Sequence, residues 1–581
     1  MFLRSVKAAN GRHEYLRLVE NYRAGDKVRQ RVVLHVGRKD LLAPHLDALV
    51  RLLQADQPAP TWISAEEVSA PQAWTWGPVR VARHLFDSLS LGPILDGGTR
   101  SLRHGQSLSE RVFALMANRL TRPGSEHALA QWLEDFYVVT AEGQRWMPQW
   151  KTSRRVKVSF EQLRLWYQTL DELIAAKERL ETGIWQELRN LFTLEPDLVF
   201  YDITSTYFEG RGPVELGRFG YSRDGKPRNR QVLMGVVMME GWPIAHHVFA
   251  GNRLDQTTVG AVVADLRQRF GLRRVVFVGD RGMVTLKNVE HLRQAGQGYL
   301  VGLQRRNRKA IPHYLEQAVA RGEWQECPVG ITAAEKSIVP RTRVQEVPGQ
   351  EPGVRVFVVH SDEREQYERG LREQSMELTR KQLEELRLRV EKGELKQAEK
   401  IGAAAAKVLQ RHHGHRYFAW ELRQGQFHYF EHPLNLPREQ AGEGKYVIQT
   451  EEQDLTPVEA VTAYKQLNEV ERGFAHLKGL LEVRPVHHRK EERVRAHVLV
   501  AALAFLLDRA LEKKLRAAGS SLSSPTAWQA LETVRCVAVE VGKRTKLCVT
   551  RGSRHATEVL KILKLSDLDP PGPPEGRETV M

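Results

Sequence analysis

The chain has 581 residues, of which 41% are hydrophobic and 27% charged, a globular balance that excludes a disulfide miniprotein, a fibre and a disordered chain. Lysine plus arginine number 87 against 71 aspartate plus glutamate, a formal charge of +16, and such an excess favours a polyanionic partner. Cys327, Cys536 and Cys548 are too few and too scattered for a disulfide framework or a zinc cluster, which fits a reducing cytosol.

The first residues, MFLRSVKAANGRHE, lack the apolar run of a secretory signal. The longest apolar run, Val498 to Leu507, is about half of what spans a bilayer. No membrane is expected, so the positive charge points to nucleic acid.

Residues 2–37 alternate apolar and polar positions with turn signals at AANG and AGDK, which predicts a small three-stranded β unit within 1–53. A Pro- and Gln-containing linker follows at 54–60. Helical spacing then runs through 63–192, with a stop and restart at NRLTRPGSEHAL, and predicts a mostly helical domain. Within 193–303 the rhythm changes. DLVFYDI (197–203), the pair in 230–251 turning at Glu240-Gly241, RVVFVGD (274–280) and YLVGL read as strands, with helices after Asp255 and in TLKNVEHLRQAG. The order is β-β-β-α-β-α-β.

Residues 304–450 break this rhythm with short β pieces, VRVFVVH and FHYFEH, around a charged helical stretch at 363–411 that Gly393 interrupts. In 451–518, Thr456-Pro457-Val458-Glu459 matches a capping box that opens a helix to about Glu482. A very apolar helix, EERVRAHVLVAALAFLLDRALEKKL, comes next. Residues 519–581 end in DPPGPPEGRETVM, expected to be disordered.

Three acidic residues stand out by position: Asp202 in or at the end of the first strand, Asp280 at the carboxyl end of the fourth, and Glu471 midway along the capped helix. Reactive groups of open α/β sheets gather at strand carboxyl ends, and three carboxylates make a hard-cation site for Mg²⁺ or Mn²⁺. Each also has a plain structural reading as cap, turn or surface residue. At ~100° per residue, Tyr464, Glu471 and Lys478 fall within ~40° of one another, beside an apolar stripe of Val470, Phe474, Leu477 and Leu481. A helix so patterned packs on a sheet while one edge lines a site.

YDITSTYFEG, VVFVGDRGM and Tyr464-x₂-Leu-x₃-Glu471-x₆-Lys478 closely resemble the DDE transposases of bacterial insertion sequences, in the group with a Tyr-Arg-Glu-Lys signature. GYSRDGKPRNRQVLMGVV, VFAGNRLDQTT, ERGFAHLKGLLEVRPVHHRKEERVRAH and ANRLTRPGS are similar as well, so the resemblance spans about 100–515. It implies an α/β ribonuclease-H-like catalytic core, interrupted by a β-rich insertion domain (304–450) and preceded by the small β unit (1–53) and the helical domain (63–192), to which recognition of the element's DNA ends falls. One departure is plain: the motif's arginine position holds Leu467, leaving Arg472 or another cation to take its place.

The resemblance implies catalytic and metal-binding roles for Asp202, Asp280 and Glu471, which would hold two Mg²⁺ or Mn²⁺ ions that activate water and stabilise the leaving oxygen. Tyr464 and Lys478 are then DNA-binding residues, on phosphates near the cut. The partners implied are double-stranded DNA, as element terminal repeats and as target, and a second subunit in a homodimer that pairs two ends. The location implied is the bacterial cytoplasm, at the nucleoid. Trp324 and Trp420 are candidates for holding a flipped base, against a core reading. The His246-His247 and His487-His488 pairs lack spaced metal partners and read as structural or phosphate-facing. The rival readings are a nuclease of the same fold without strand transfer, and a DNA-binding regulator whose acidic residues are structural.

Overall fold

The computed structural model describes residues 2–8, 11, 13–24, 27–45, 68–97, 103, 105–140, 145–146, 160–192, 198–254, 257–271, 276–279, 286–294, 296–303, 310–328, 341–541, 544–565 and 568. Two compact units form, one from residues within 1–72 and 538–546, the other within 73–537 and 547–578. In the first, β1 (Phe2–Lys7), β2 (Glu14–Ala24) and β3 (Lys27–Arg38) make the expected antiparallel three-stranded sheet, in that order. Strand β4 is Val68–Thr75.

The helical region holds Gly77–Ser88, Leu91–Asp96, Leu108–Thr121, Leu129–Asp135, Phe160–Ala175 and Lys177–Phe192. The stop predicted at Arg122-Pro123 is real, since Leu108–Thr121 ends there and the next helix starts at Leu129. Ser107 accepts from the Glu110 N–H and closes the first turn. Arg111 on this helix is wholly buried, and it donates to Thr169 Oγ1 (2.9 Å), Glu172 (2.7 Å) and the Ser107 carbonyl (3.2 Å). A buried cation is tolerable when its donors are satisfied in this way.

The large sheet begins with β5 (Leu198–Tyr207), β6 (Gln231–Met239) and β7 (Trp242–Ala250), an antiparallel meander. Its other members are β8 (Val276–Gly279), β9 (Gly298–Leu303), β10 (Gln325–Cys327), β11 (Thr342–Pro348), β12 (Arg355–Ser361) and β15 (Lys445–Thr450), while β13 (Phe418–Arg423) and β14 (Gln426–Glu431) pair as a separate hairpin. The sheet order is β10-β11-β12-β15-β9-β8-β5-β6-β7. Within this sheet, among the described residues, β5-β8 and β8-β9 pair parallel and the other neighbours antiparallel. Every residue of β6 and of β9 is buried, which explains why these strands read as continuous apolar runs. The helix expected after Asp255 is Val259–Phe270; Asp255 itself lies outside the described residues.

The stretch expected to be a β-rich insertion holds more helix than strand. Its charged part forms Asp362–Glu391 and Ala398–Arg411, broken at Gly393, which takes a positive φ of 72°. Asp362, Glu363 and Glu365 favour the first turn of the longer helix. β10, β11, β12 and β15 extend the main sheet beyond β9, and the β13-β14 hairpin packs Phe418 and Phe427 against Leu383, Leu386 and Ile401 of the two helices. Short apolar alternations show that strands exist but not which sheet they join.

The capping box is present: Thr456 accepts from the Glu459 N–H and the Glu459 side chain accepts in return, opening Pro457–Lys478. The apolar helix is Glu491–Ala517, buried nearly throughout from Val494 to Leu511. Among the described residues no helix is long and apolar enough to cross a membrane. It lies against the capped helix, where a Cβ on Gly473 would fall 2.7 Å from Phe505. His476 Nδ1 lies 2.7 Å from Asp508 Oδ2, and Trp528 Nε1 donates to Asp508 Oδ1 at 3.0 Å. The Asp508 carboxylate raises the His476 pKa against the opposing effect of burial. A raised folded-state value means stabilisation fully present below the unfolded pKa of about 6.5 and lost as pH rises through the folded value. The stability advantage of the wild type over His476→Gln, read by urea unfolding, is therefore expected to be larger at pH 5.5 than at pH 8.5.

Candidate active site

Strand register decides which side chains can meet. Leu198, Val276 and Gly298 stand level across the parallel strands, as do Phe200, Val278 and Leu300. Side chains alternate along a strand, so Asp202 and Gly302, each two residues past the second row, project from the same face. A Cβ on Gly302 would lie 2.1 Å from Tyr464 Oη. That face is therefore the one Pro457–Lys478 covers, and glycine at 302 lets the tyrosine reach the sheet. The opposite face carries Tyr201, whose hydroxyl donates to Thr258 Oγ1 (3.1 Å) at the start of Val259–Phe270.

Asp202 is half-buried, and its Oδ1 accepts from the Ile203 N–H at 2.7 Å. It sits mid-strand, since β5 runs on to Tyr207. Glu471 is exposed on the helix that packs against β5, β8 and β9. The predicted stripe holds: Leu467, Val470, Phe474, Leu477 and Leu481 are buried, and Tyr464 and Lys478 are half-buried beside them. Asp280 lies outside the described residues; β8 ends at Gly279, the residue before it. Leu467, in the motif's arginine position, is buried, whereas Arg472 is exposed.

Lys478 is held by a partner that the sequence did not single out. Its Nζ lies 2.9 Å from Asp224 Oδ1, and Arg484 pairs with the same oxygen. The Asp224 side chain is only 4% exposed, and its Oδ2 has no hydrogen-bond partner among the described residues. Burial lowers the Lys478 pKa and the Asp224 carboxylate opposes it. The loop bearing Asp224 is tied to β5 by the Arg223 N–H, which donates to Ser205 Oγ at 2.9 Å. One acid in the basic run GYSRDGKPRNR is the signal that marks it.

His246 and His488, one from each histidine pair, are buried. His246 Nδ1 is 2.8 Å from Glu181 in a buried network with Lys177 and Arg269. Burial lowers the His246 pKa, and pushes His247 down to about 4. Glu126, His488 and His497 lie close enough to suggest a metal centre, as do His360, Asp362 and Glu365. In the first group both His497 nitrogens are used, Nδ1 accepting from Arg119 (3.1 Å) and Nε2 donating to the Val483 carbonyl (3.0 Å), so a cation there would meet the Arg119 guanidinium. In the second, His360 pairs with Glu365 and Asp362 with Arg343, both at 2.7 Å. His487 is exposed. Trp324 packs on the cluster around Ile311 and Val356, and Trp420 stacks on Phe427 at 5.6 Å; both rings border cores.

Residues 195–507, more than half of the chain, match the family model described as the transposase DDE domain. The chain belongs to the DDE transposases. Residues 3–65 match the IS1634 family transposase N-terminal domain, which makes it a transposase of bacterial insertion sequences and an enzyme acting on DNA. No curated protein matches it. Among solved structures, the cryo-EM structure of a piggyBac transposase synaptic complex with hairpin DNA is similar over 78% of this chain and 79% of that one, at 8% identity and a TM-score of 0.34.

In this transposase the Asp224 pairing has a measurable consequence. Asp224→Ala leaves Lys478 and Arg484 without their acid, and is expected to lower unfolding stability by about 3 kcal/mol. Adding Lys478→Met should restore part of that loss in the double variant, read by urea unfolding of all three proteins.

Proposed function

We propose that Asp202, Asp280 and Glu471 are the acidic triad with which this transposase cleaves element ends and joins them to target DNA. The register carries the reading. Two residues beyond Phe200 and Leu300 of the level row lie Asp202 and Gly302, and the latter faces the helix that bears Glu471; Asp280 follows the last described residue of β8, Gly279. The strand order β7-β6-β5-β8-β9, an antiparallel meander continued by parallel strands, supports a ribonuclease-H-like core, with the 304–450 stretch as its insertion.

The donor set is all carboxylate oxygen, the chemistry that hard divalent cations such as Mg²⁺ or Mn²⁺ prefer. Two such ions, when bound, neutralise the scissile phosphate, provide an activated water and stabilise the leaving oxygen. The chain's part is to fix the carboxylates: Asp202 on a strand buried in the sheet, Glu471 on a helix anchored by a capping box and by Tyr464 over Gly302. Lys478 and Tyr464 share one helix edge with Glu471 and are assigned to phosphates near the cut; Lys478 reaches one by exchanging its Asp224 partner. Cleavage exposes a 3′-hydroxyl, and that hydroxyl attacks the target strand. Pairing of two ends calls for a homodimer, acting in the cytoplasm at the nucleoid.

The test is an assay with Mg²⁺ on duplexes carrying the element's terminal repeats, comparing wild type, Asp202→Asn and Glu471→Gln. The variants are expected to bind the ends within about threefold of wild type and to cleave and join at least ~1000-fold more slowly, the scale seen when one member of a catalytic unit is removed. Cleavage by Glu471→Gln at the wild-type rate would overturn the assignment.

A further inference from the structure

The chain between β5 and β6, residues 209–230, is long but held at many points. Arg218 and Gln231 exchange backbone hydrogen bonds (3.2 and 2.7 Å), and the Gly251 N–H donates to the Leu216 carbonyl at 3.0 Å. The Gln231 side chain donates to the Lys226 and Asn229 carbonyls, and the Asn229 side chain to that of Phe208. A Cβ on Gly220 would fall 1.9 Å from the Gly251 carbonyl oxygen, so backbone lies directly on backbone there. Buried Leu216 seats one arm of the loop, and Asp224, paired with Lys478 and Arg484, seats the other.

This fixed loop leaves two aromatic rings in water. Phe219 is 62% exposed and Tyr221 79%, the highest value of any large hydrophobic side chain among the described residues. Folding gains little from rings so placed, whereas a ligand would meet them already ordered, at small entropic cost. The Arg230 guanidinium lies over the Phe219 ring at 5.6 Å, and that of Arg223 over Tyr221 at 5.8 Å. In all the loop carries Arg211, Arg218, Arg223, Lys226, Arg228 and Arg230 against Glu209, Glu215 and the engaged Asp224. Aromatic faces interleaved with cations suit a strand of nucleic acid, whose bases stack while its phosphates pair.

The anchors of the loop set its distance from the acidic residues. The Arg223 N–H donates to Ser205 Oγ, three residues past Asp202 on β5, which is about 10 Å along a strand. Lys478, the partner of Asp224, is seven residues past Glu471, again about 10 Å along its helix. That length is about three nucleotide steps of DNA.

We propose that Phe219 and Tyr221 form a stacking ledge for an unstacked base of the element-end DNA, about three nucleotides from the cut phosphate. Inside a duplex both faces of every base are covered by its neighbours, so a ring gains a face only where a base has left the stack. Opening the stack costs energy, and the ledge offsets that cost with ring contact and with the loop's cations on the flanking phosphates. The inference rests on the triad reading for its distance from the cut, and adds a base-binding surface on a loop which that reading does not use.

The experiment measures binding of the full-length protein, without divalent cation so that no strand is cut, to fluorescent duplexes carrying the element's terminal repeat. One duplex is intact, and each of the others has a single abasic site at a successive position around the cut. The proteins are wild type, Phe219→Ala, Tyr221→Ala and Tyr221→Phe. Both alanine variants are expected to bind the intact duplex about tenfold more weakly, and Tyr221→Phe, which keeps the ring, to bind like wild type. On one abasic duplex the difference between wild type and Tyr221→Ala should vanish, because the base on which the ring stacks is gone. Wild-type affinity of both alanine variants for the intact duplex would overturn the proposal. So would a loss that persists on every abasic duplex, which would place the ring on backbone or groove, and so would conversion of a DNA-free dimer to monomer by Tyr221→Ala in sedimentation, which would make the ledge a contact between copies. Urea unfolding of the variants should match wild type, since both rings are exposed; a lowered midpoint would mean that the rings support the loop and would count against a ledge. Binding without metal reads the ledge even if Glu471→Gln leaves cleavage untouched. In that event the triad fails, while an abasic position that erases the Tyr221 effect still upholds the ledge.

Discussion

Close approach of one helix to one sheet face is the constraint on which the site depends. Pro457–Lys478 can lie over β9 because Gly302 leaves room for the Tyr464 hydroxyl, and over its other neighbour, Glu491–Ala517, because Gly473 leaves room for Phe505. Both glycines sit where a side chain would push elements apart, and overpacking of that kind typically costs 1–3 kcal/mol. The helix is thereby fixed between sheet and apolar helix, and Glu471 is held at its exposed edge. A reactive constellation needs such support, since displacement by about 1 Å can cost ~100-fold in rate.

Electrostatics follow the same plan. Two cations near the site are tied down: Lys478 and Arg484 share the buried Asp224 carboxylate, and that aspartate is brought in by a loop hydrogen-bonded to β5. The strand bearing Asp202 therefore also locates the cations. By contrast, the buried Glu181-His246 and Glu126-His488-His497 groups are closed on themselves by arginines, which makes them structural ties between the helical region and the rest of the larger unit.

Much of this was legible in the sequence, for identifiable reasons. The capping box, the apolar stripe on the Glu471 helix and the β-β-β-α-β-α-β order are local patterns, and local patterns survive folding. The predicted break at Gly393 also held, because a glycine with positive φ ends a helix whatever surrounds it. What escaped was non-local. Nothing in VRVFVVH says that it joins β11 and β15 in the main sheet, and the pairing of Asp224 with Lys478 bridges 254 positions. Gly302 looked like any strand glycine until register placed it in the row of Asp202.

The central claim is that Asp202, Asp280 and Glu471 meet at one divalent-cation site. Its most direct measurement replaces the native cation with Fe²⁺ and maps, with ascorbate and peroxide, where the polypeptide is cut by radicals generated at the bound ion. The account predicts cuts beside 202, 280 and 471 together, all suppressed by excess Mg²⁺ and by Glu471→Gln. Cuts centred instead on Glu126, His488 and His497, or cuts near 202 that persist unchanged in Glu471→Gln, would contradict it.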